Sequence, residues 1–332
     1  MKTTVLGAGA FGTALAIQLA RQGHETLLWA RSEQEAAAMD RARENAHYLA
    51  GATFPDGLRV TSDRAKALSG AELVVLAIPC QATREALAAA KDELRAPLLC
   101  CASKGIERGT LMLMSEVLLD VLGADAADRL TYLSGPSFAK ELADGVPTAV
   151  TIAGTNAAST AAVQRAFSGG ALRAYATEDV MGVEVGGALK NVIAIAAGIV
   201  DGLGFGQNCR AALITRGLAE IGRLAAKKGG SPLTLAGLAG VGDLVLTCTG
   251  SLSRNRTVGV ELGRGRTLGA ILAELGHVAE GVETTKSAFE LGQRLGVPMP
   301  ITEEVYRVLY EDKPAKQALL ELMGRPLKHE LA

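Results

Sequence analysis

Apolar residues fall in short unbroken runs through the first half of the chain and at helical spacing through the second. Residues 3–6 and 25–29 read as strands. Residues 73–78 are apolar throughout and stop at Pro79, as a strand buried on both faces should be. Residues 98–102, 131–133, 149–152 and 172–175 complete the series, with helical patterns between several of them. From about Asp179 the strand signal stops. Helices are predicted over residues 180–203, 209–227, 256–262, 268–275, 284–295, 302–310 and 314–323. At 332 residues the chain is long enough for two domains. We expect an α/β doubly wound unit at residues 1–178 and an all-α unit at residues 179–332.

Composition narrows the partners. A net charge of −1 leaves no broad basic surface, so neither nucleic acid nor an anionic membrane is expected to bind. An anionic substrate must then be met by a few placed cations. Cys80, Cys100, Cys101, Cys209 and Cys248 are scattered without a CxxC pair and read as small buried hydrophobes of a reducing compartment. The opening residues lack the charge and apolar pattern of a signal peptide. The longest apolar run, residues 192–200, falls short of the roughly 20 residues a bilayer span needs. A cytoplasmic location is expected. The four histidines are far apart, so no metal is expected.

The first strand runs into Gly7-Ala8-Gly9-Ala10-Phe11-Gly12 and then an apolar helix. Three glycines at this spacing suit a dinucleotide pyrophosphate. Gly7 makes the tight turn, Gly9 leaves room for the phosphates, and Gly12 lets helix and strand pack closely. The strand before and the helix after make this a Rossmann-type motif. An NAD site usually carries an acid at the end of the second strand, to hold the ribose 2′-hydroxyl. Here that place reads Trp29-Ala30-Arg31-Ser32, and the guanidinium of Arg31 suits a 2′-phosphate. NADPH is the expected cofactor. NADH remains an alternative, since Glu33 is close enough to swing in.

Lys190 stands in a helix that is apolar on nearly every side, where lysine is rarely found without a reason. Its i−4 and i+4 neighbours, Gly186 and Ala194, offer no carboxylate. Gly182, Gly186 and Lys190 share a face, so a second helix or a cofactor with its substrate must approach the bare backbone there. A desolvated lysine has a lowered pKa and can pass a proton to a carbonyl oxygen.

A second set of polar residues follows. Residues 240–253 read as a glycine-rich loop that feeds a helix capped by Ser253. Arg254 and Asn255 would lie in its first turn, where cations are disfavoured unless an anion such as phosphate binds. Asp243 is placed either to orient Lys190, to take a substrate hydroxyl, or simply to make a turn. Lys104 lies just past a strand's carboxyl end, where open α/β sheets hold ligands, and Ser134-Gly135-Pro136-Ser137 follows another such end.

These motifs together resemble the bacterial NAD(P)-dependent sn-glycerol-3-phosphate dehydrogenase family. The resemblance rests on the glycine turn, Ser103-Lys104-Gly105, Gly135-Pro136-Ser137-Phe138-Ala139, Leu189-Lys190-Asn191, Gly242-Asp243, Ser253-Arg254-Asn255 and Val278-Ala279-Glu280-Gly281, in order along nearly the whole chain. It implies interconversion of dihydroxyacetone phosphate and sn-glycerol 3-phosphate, which feeds glycerophospholipid synthesis, with Lys190 as proton donor and acceptor. It implies Lys104, Gly135, Ser137, Asp243, Thr247, Ser253, Arg254 and Asn255 on the substrate side. On the cofactor side it implies Ala10, Phe11, Arg31, Lys104, Ala139, Arg254, Val278 and Glu280, beside the three glycines. It also implies a homodimer. Two rival readings are a related β-hydroxyacid dehydrogenase acting on a carboxylate and a non-catalytic dinucleotide sensor. The latter would need no lysine at the nicotinamide.

Overall fold

The computed structural model describes residues 1–275, 279–327 and 329. Among the described residues eight strands make one sheet: β1 (Lys2–Leu6), β2 (Glu25–Trp29), β3 (Leu58–Thr61), β4 (Leu73–Leu76), β5 (Leu98–Cys101), β6 (Leu130–Ser134), β7 (Thr148–Ala153) and β8 (Leu172–Thr177). Their order is β3-β2-β1-β4-β5-β6-β7-β8. β4 is apolar and buried at every position because helices cover both faces of the sheet at its middle. β1 pairs in parallel with β2 on one side and β4 on the other. The chain leaving β1 therefore emerges where the strand order reverses, the place where such sheets bind ligands.

Two features depart from the expected sheet. β3 carries Arg59 between Leu58 and Val60, and as an edge strand it needs only alternate burial, so its four residues give little apolar signal. The sheet is also mixed: β7 runs antiparallel to β6, and β8 follows β7 in parallel.

Helices α1 (Ala10–Arg21), α2 (Glu33–Ala42), α3 (Arg64–Leu68), α4 (Cys80–Ala89), α5 (Met114–Leu122), α6 (Ala139–Asp144) and α7 (Ala157–Phe167) belong to the sheet half. The rest is helical: α8 (Val180–Gly202), α9 (Gly206–Lys227), α10 (Pro232–Leu235), α11 (Asp243–Thr249), α12 (Arg254–Gly263), α13 (Leu268–Leu275), α14 (Glu280–Leu295), α15 (Pro300–Tyr310) and α16 (Ala315–Met323).

α8 organises the second half. It is 23 residues long, and its most apolar stretch has a mean hydropathy of 1.6, enough to cross a bilayer, yet 89 % of that stretch is buried inside the protein. It is a core helix. The expectation drawn from residues 192–200 measured an apolar run and not the helix that contains it. Val192, Ile193 and Ile195 are wholly buried, each burial being worth roughly 1.5–3 kcal/mol.

α12 packs on α8 almost backbone to backbone. A Cβ on Gly198 would sit 2.1 Å from the Arg256 carbonyl oxygen, and one on Gly259 would sit 2.0 Å from that of Ile195. The contact brings the start of α12 against the part of α8 that follows Lys190.

Candidate active site

The glycine turn has the shape its spacing predicts. Gly7 has φ +117°, and a Cβ there would meet the Ala77 carbonyl oxygen at 2.4 Å. A Cβ on Gly12 would strike the Gly7 carbonyl oxygen at 2.0 Å, whereas one on Gly9 would meet nothing within 4 Å. Gly7 and Gly12 are thus required by packing, and Gly9 borders open space at the head of α1. A pyrophosphate fits this cradle. Asn45, wholly buried, props the turn by donating to the Ala8 carbonyl at 2.9 Å and the Thr13 hydroxyl at 2.8 Å. Asn45 escaped the sequence reading because it lies in an irregular stretch with nothing around it to mark it.

Past the end of β5, Lys104 points into the helical half. Its Nζ is 5.8 Å from the centre of the Phe11 ring, at the start of α1, and 2.8 Å from Oδ2 of Asp243. Lys190 donates to the other oxygen, Oδ1, of the same carboxylate. Asp243 is 1 % exposed and Lys190 9 % exposed. Burial alone would raise the Asp243 carboxyl, but the two ammonium groups outweigh it and hold it below its usual range. Burial brings Lys190 down to about 8; Asp243 opposes this and Lys104 adds to it. The carboxylate that α8 could not offer comes from another helix.

The local structure around Asp243 differs from the expected loop. Residues Leu238–Gly242 form a single π turn and Asp243–Thr249 form α11, so Asp243 opens a helix. The apolar residues between the glycines, Leu244 and Cys248, bury the inner face of that helix. Thr247 donates back to the Asp243 carbonyl at 2.6 Å. The glycine face of α8 is explained by the same element: a Cβ on Gly186 would lie 2.5 Å from the Ala239 carbonyl oxygen. Backbone, not cofactor, approaches there. Gly187, one residue on, faces the Ser134 hydroxyl and the stem of Lys104.

The start of α12 lies beside this cluster. Ser253 caps the helix by accepting from the Arg256 amide at 3.3 Å, so the helix begins at Arg254, as that cap predicts and two residues before the apolar pattern at 256–262. Asn255 is buried and accepts from the Gly281 amide at 3.0 Å, which ties α12 to the head of α14. Glu280 opens α14. Burial pushes its carboxyl up, while Arg254, Lys104 and Lys190 pull it down. Arg254 is exposed, and its side chain makes no hydrogen bond or ion pair among the described residues.

Lys104, Asp243, Lys190, Thr247 and Phe11 are therefore joined by direct contacts, with Arg254, Asn255 and Glu280 gathered near them. Gly135 and Ser137 follow β6, where the Ser137 hydroxyl donates to the Gly135 carbonyl at 3.0 Å. Ala139 begins α6. Arg31 is exposed between β2 and α2, with no contact to the lysine cluster. Val278 lies outside the described residues.

A glycine turn at the sheet's switch point, facing buried Lys190 and half-buried Lys104, defines a dinucleotide-dependent oxidoreductase of two unlike halves. Comparison with known proteins agrees. Family models described as NAD-dependent glycerol-3-phosphate dehydrogenase N-terminus and C-terminus match residues 2–160 and 179–320. Glycerol-3-phosphate dehydrogenase (NAD(P)+) of Geobacter sp. (strain M21) is 52 % identical over 330 residues, 99 % of this chain and 98 % of that one. The enzyme of the same name from Anaeromyxobacter sp. (strain K) is 54 % identical over the full length of both. The crystal structure of glycerol-3-phosphate dehydrogenase from Coxiella burnetii superposes with a TM-score of 0.93 at 39 % identity, covering 98 % of this chain and 99 % of that one. The chain belongs to the NAD-dependent glycerol-3-phosphate dehydrogenase family and is an oxidoreductase with NAD(P) as its cofactor. The hydroxyacid dehydrogenase and sensor readings fall away.

Proposed function

We propose that the chain reduces dihydroxyacetone phosphate to sn-glycerol 3-phosphate reversibly, with NADPH preferred, and that Lys190 is the acid and base of the reaction. One observation carries this reading. Lys190 and Lys104 converge on the buried Asp243 while Lys104 also lies against Phe11 at the dinucleotide turn. Lys104 thereby links the cofactor cradle to the carboxylate that holds the Lys190 amine.

When bound, the nicotinamide supplies the hydride. Lys190 gives its Nζ proton to the ketone oxygen as that oxygen gains negative charge, and its N–H bond breaks as the O–H bond forms. A pKa brought down to about 8 keeps this proton transferable near neutrality. Asp243 holds the amine in place, and the Lys104 charge stabilises the developing oxyanion. Arg254 and Asn255 grip the phosphate at the head of α12, with Thr247, Ser253, Gly135 and Ser137 lining the substrate. Gly7, Gly9, Ala10, Phe11, Gly12, Arg31, Ala139 and Glu280 border the cofactor. We place the boundary between the dinucleotide and substrate halves at residue 178. A cytoplasmic homodimer completes the reading; the cysteines are all free thiols, as a reducing compartment favours.

The direct test follows NADPH absorbance with dihydroxyacetone phosphate and repeats it with Lys190→Ala. Turnover should fall by about 10²–10⁴ while cofactor affinity holds. Near-normal turnover would remove Lys190 from the chemistry.

A further inference from the structure

Lys190 and Arg254 sit on different helices, and a substrate held by both needs those helices in one register. The glycine contacts between α8 and α12 let the backbones touch but offer little against sliding. A polar lock lies at the end of that contact. Asp201, in the last turn of α8, accepts from Arg210 of α9 at 3.0 and 3.1 Å, one bond to each oxygen. It also accepts from Nε and Nη2 of Arg256 at 2.9 and 2.7 Å. The Asp201 side chain is 16 % exposed, so these bonds are largely shielded from water. Arg256 is in the first turn of α12, two residues past Arg254. One carboxylate thus joins three helices at the head of the helix proposed to hold the phosphate.

We infer that Asp201 is a positioning residue for the phosphate end of the site: by binding Arg210 and Arg256 together it sets the first turn of α12, and so Arg254, at a fixed distance from Lys190. The inference rests on the reading of Arg254 as a phosphate ligand. Position and charge make opposite predictions for Asp201→Asn. Removing a negative charge beside an anion site should tighten phosphate binding. Loosening the register should weaken it.

The experiment measures reduction of dihydroxyacetone phosphate and of unphosphorylated dihydroxyacetone by wild type, Asp201→Asn, Arg210→Gln and Arg254→Ala, with inorganic phosphate as a competing anion. Asp201→Asn should raise KM for the phosphorylated ketone by about tenfold, the scale of one displaced charge-assisted hydrogen bond. Inhibition by phosphate should weaken by the same factor, and kcat/KM for the unphosphorylated ketone should hold. Arg210→Gln, which leaves Arg256 on Asp201, should give a smaller change of the same kind and serves if Asp201→Asn does not fold. An unchanged or lowered KM in a folded variant overturns the inference. So does an equal loss on both ketones, the mark of a purely structural residue. If Arg254→Ala leaves KM unchanged, the phosphate reading itself has failed. If Arg254→Ala raises KM and Asp201→Asn does not, only the positioning role is lost.

Discussion

Lys104 reaches out of the sheet half to Asp243 at the head of α11, Nζ to Oδ2 at 2.8 Å, and so joins the two halves of the molecule through the proposed catalytic cluster. Lys190 occupies the other oxygen, which leaves one buried negative charge between two positive ones. Such a group depends above all on the carboxylate, without which two ammonium groups would face each other. Its members also lie far apart in the chain, so folding must bring both halves together before the chemistry exists.

Asp243→Asn tests that dependence. The amide is nearly the same size but cannot neutralise two ammonium groups. Breaking a buried ion pair costs about 3–5 kcal/mol, and mispositioning a proton donor costs at least about 100-fold in turnover. Denaturant titration and steady-state rates should both show the loss. A variant that matches wild type in both would separate Asp243 from the cluster.

Lys104→Gln tests the electrostatic coupling by its direction. The Lys104 charge helps to hold Lys190 down at about 8. The proposed mechanism needs Lys190 protonated for reduction, so the wild-type rate should decline as pH rises through that region. Without Lys104, Asp243 serves Lys190 alone and the amine keeps its proton longer. The decline should move to higher pH. A pH profile unmoved, or moved to lower pH, contradicts the coupling.

Gly9 and Gly12 should respond oppositely to alanine. Gly12→Ala drives a methyl group into the Gly7 carbonyl, so thermal stability should fall whether or not cofactor is added. Gly9→Ala adds its methyl to open space, so the melting temperature should hold while KM for the cofactor rises. Loss of stability in Gly9→Ala with cofactor binding intact would contradict the cradle.

Much of this was legible in the residues, for reasons that can be named. The glycine turn could be read because its strand, turn and helix are contiguous. Lys190 stood out because an amine in an apolar helix is costly. β3 could not be read, because an edge strand of four residues has no run to notice. The glycines that precede α11 make it read as loop, and the π turn that seats Asp243 has no pattern of its own. The Asp201 lock was invisible for a different cause. Its arginines come from helices that neighbour each other only after folding, and a surface reading of each was equally good.

On the proposed reading cofactor choice turns on Arg31, whose exposure supplies a second handle. β2 ends at Trp29, whose indole donates to the Ser62 carbonyl at 2.9 Å, and Ala30 is buried. Arg31 is thus the first charged residue past the strand. Ser32 caps α2, and Glu33 and Glu35 in its first turn are exposed. Those carboxylates repel a 2′-phosphate, so Arg31 must offset them for NADPH to be preferred. Arg31→Ala should raise KM for NADPH by about tenfold, one charged hydrogen bond, and leave KM for NADH nearly fixed. Because the guanidinium is in water, salt must act the same way. The Debye length falls from about 10 Å at 0.1 M to about 3 Å at 1 M. The wild-type preference for NADPH should therefore shrink with added salt, and the preference of Arg31→Ala should not. Equal movement of both Michaelis constants in the variant, or a preference for NADPH that still shrinks with salt in the variant, would put the phosphate contact elsewhere.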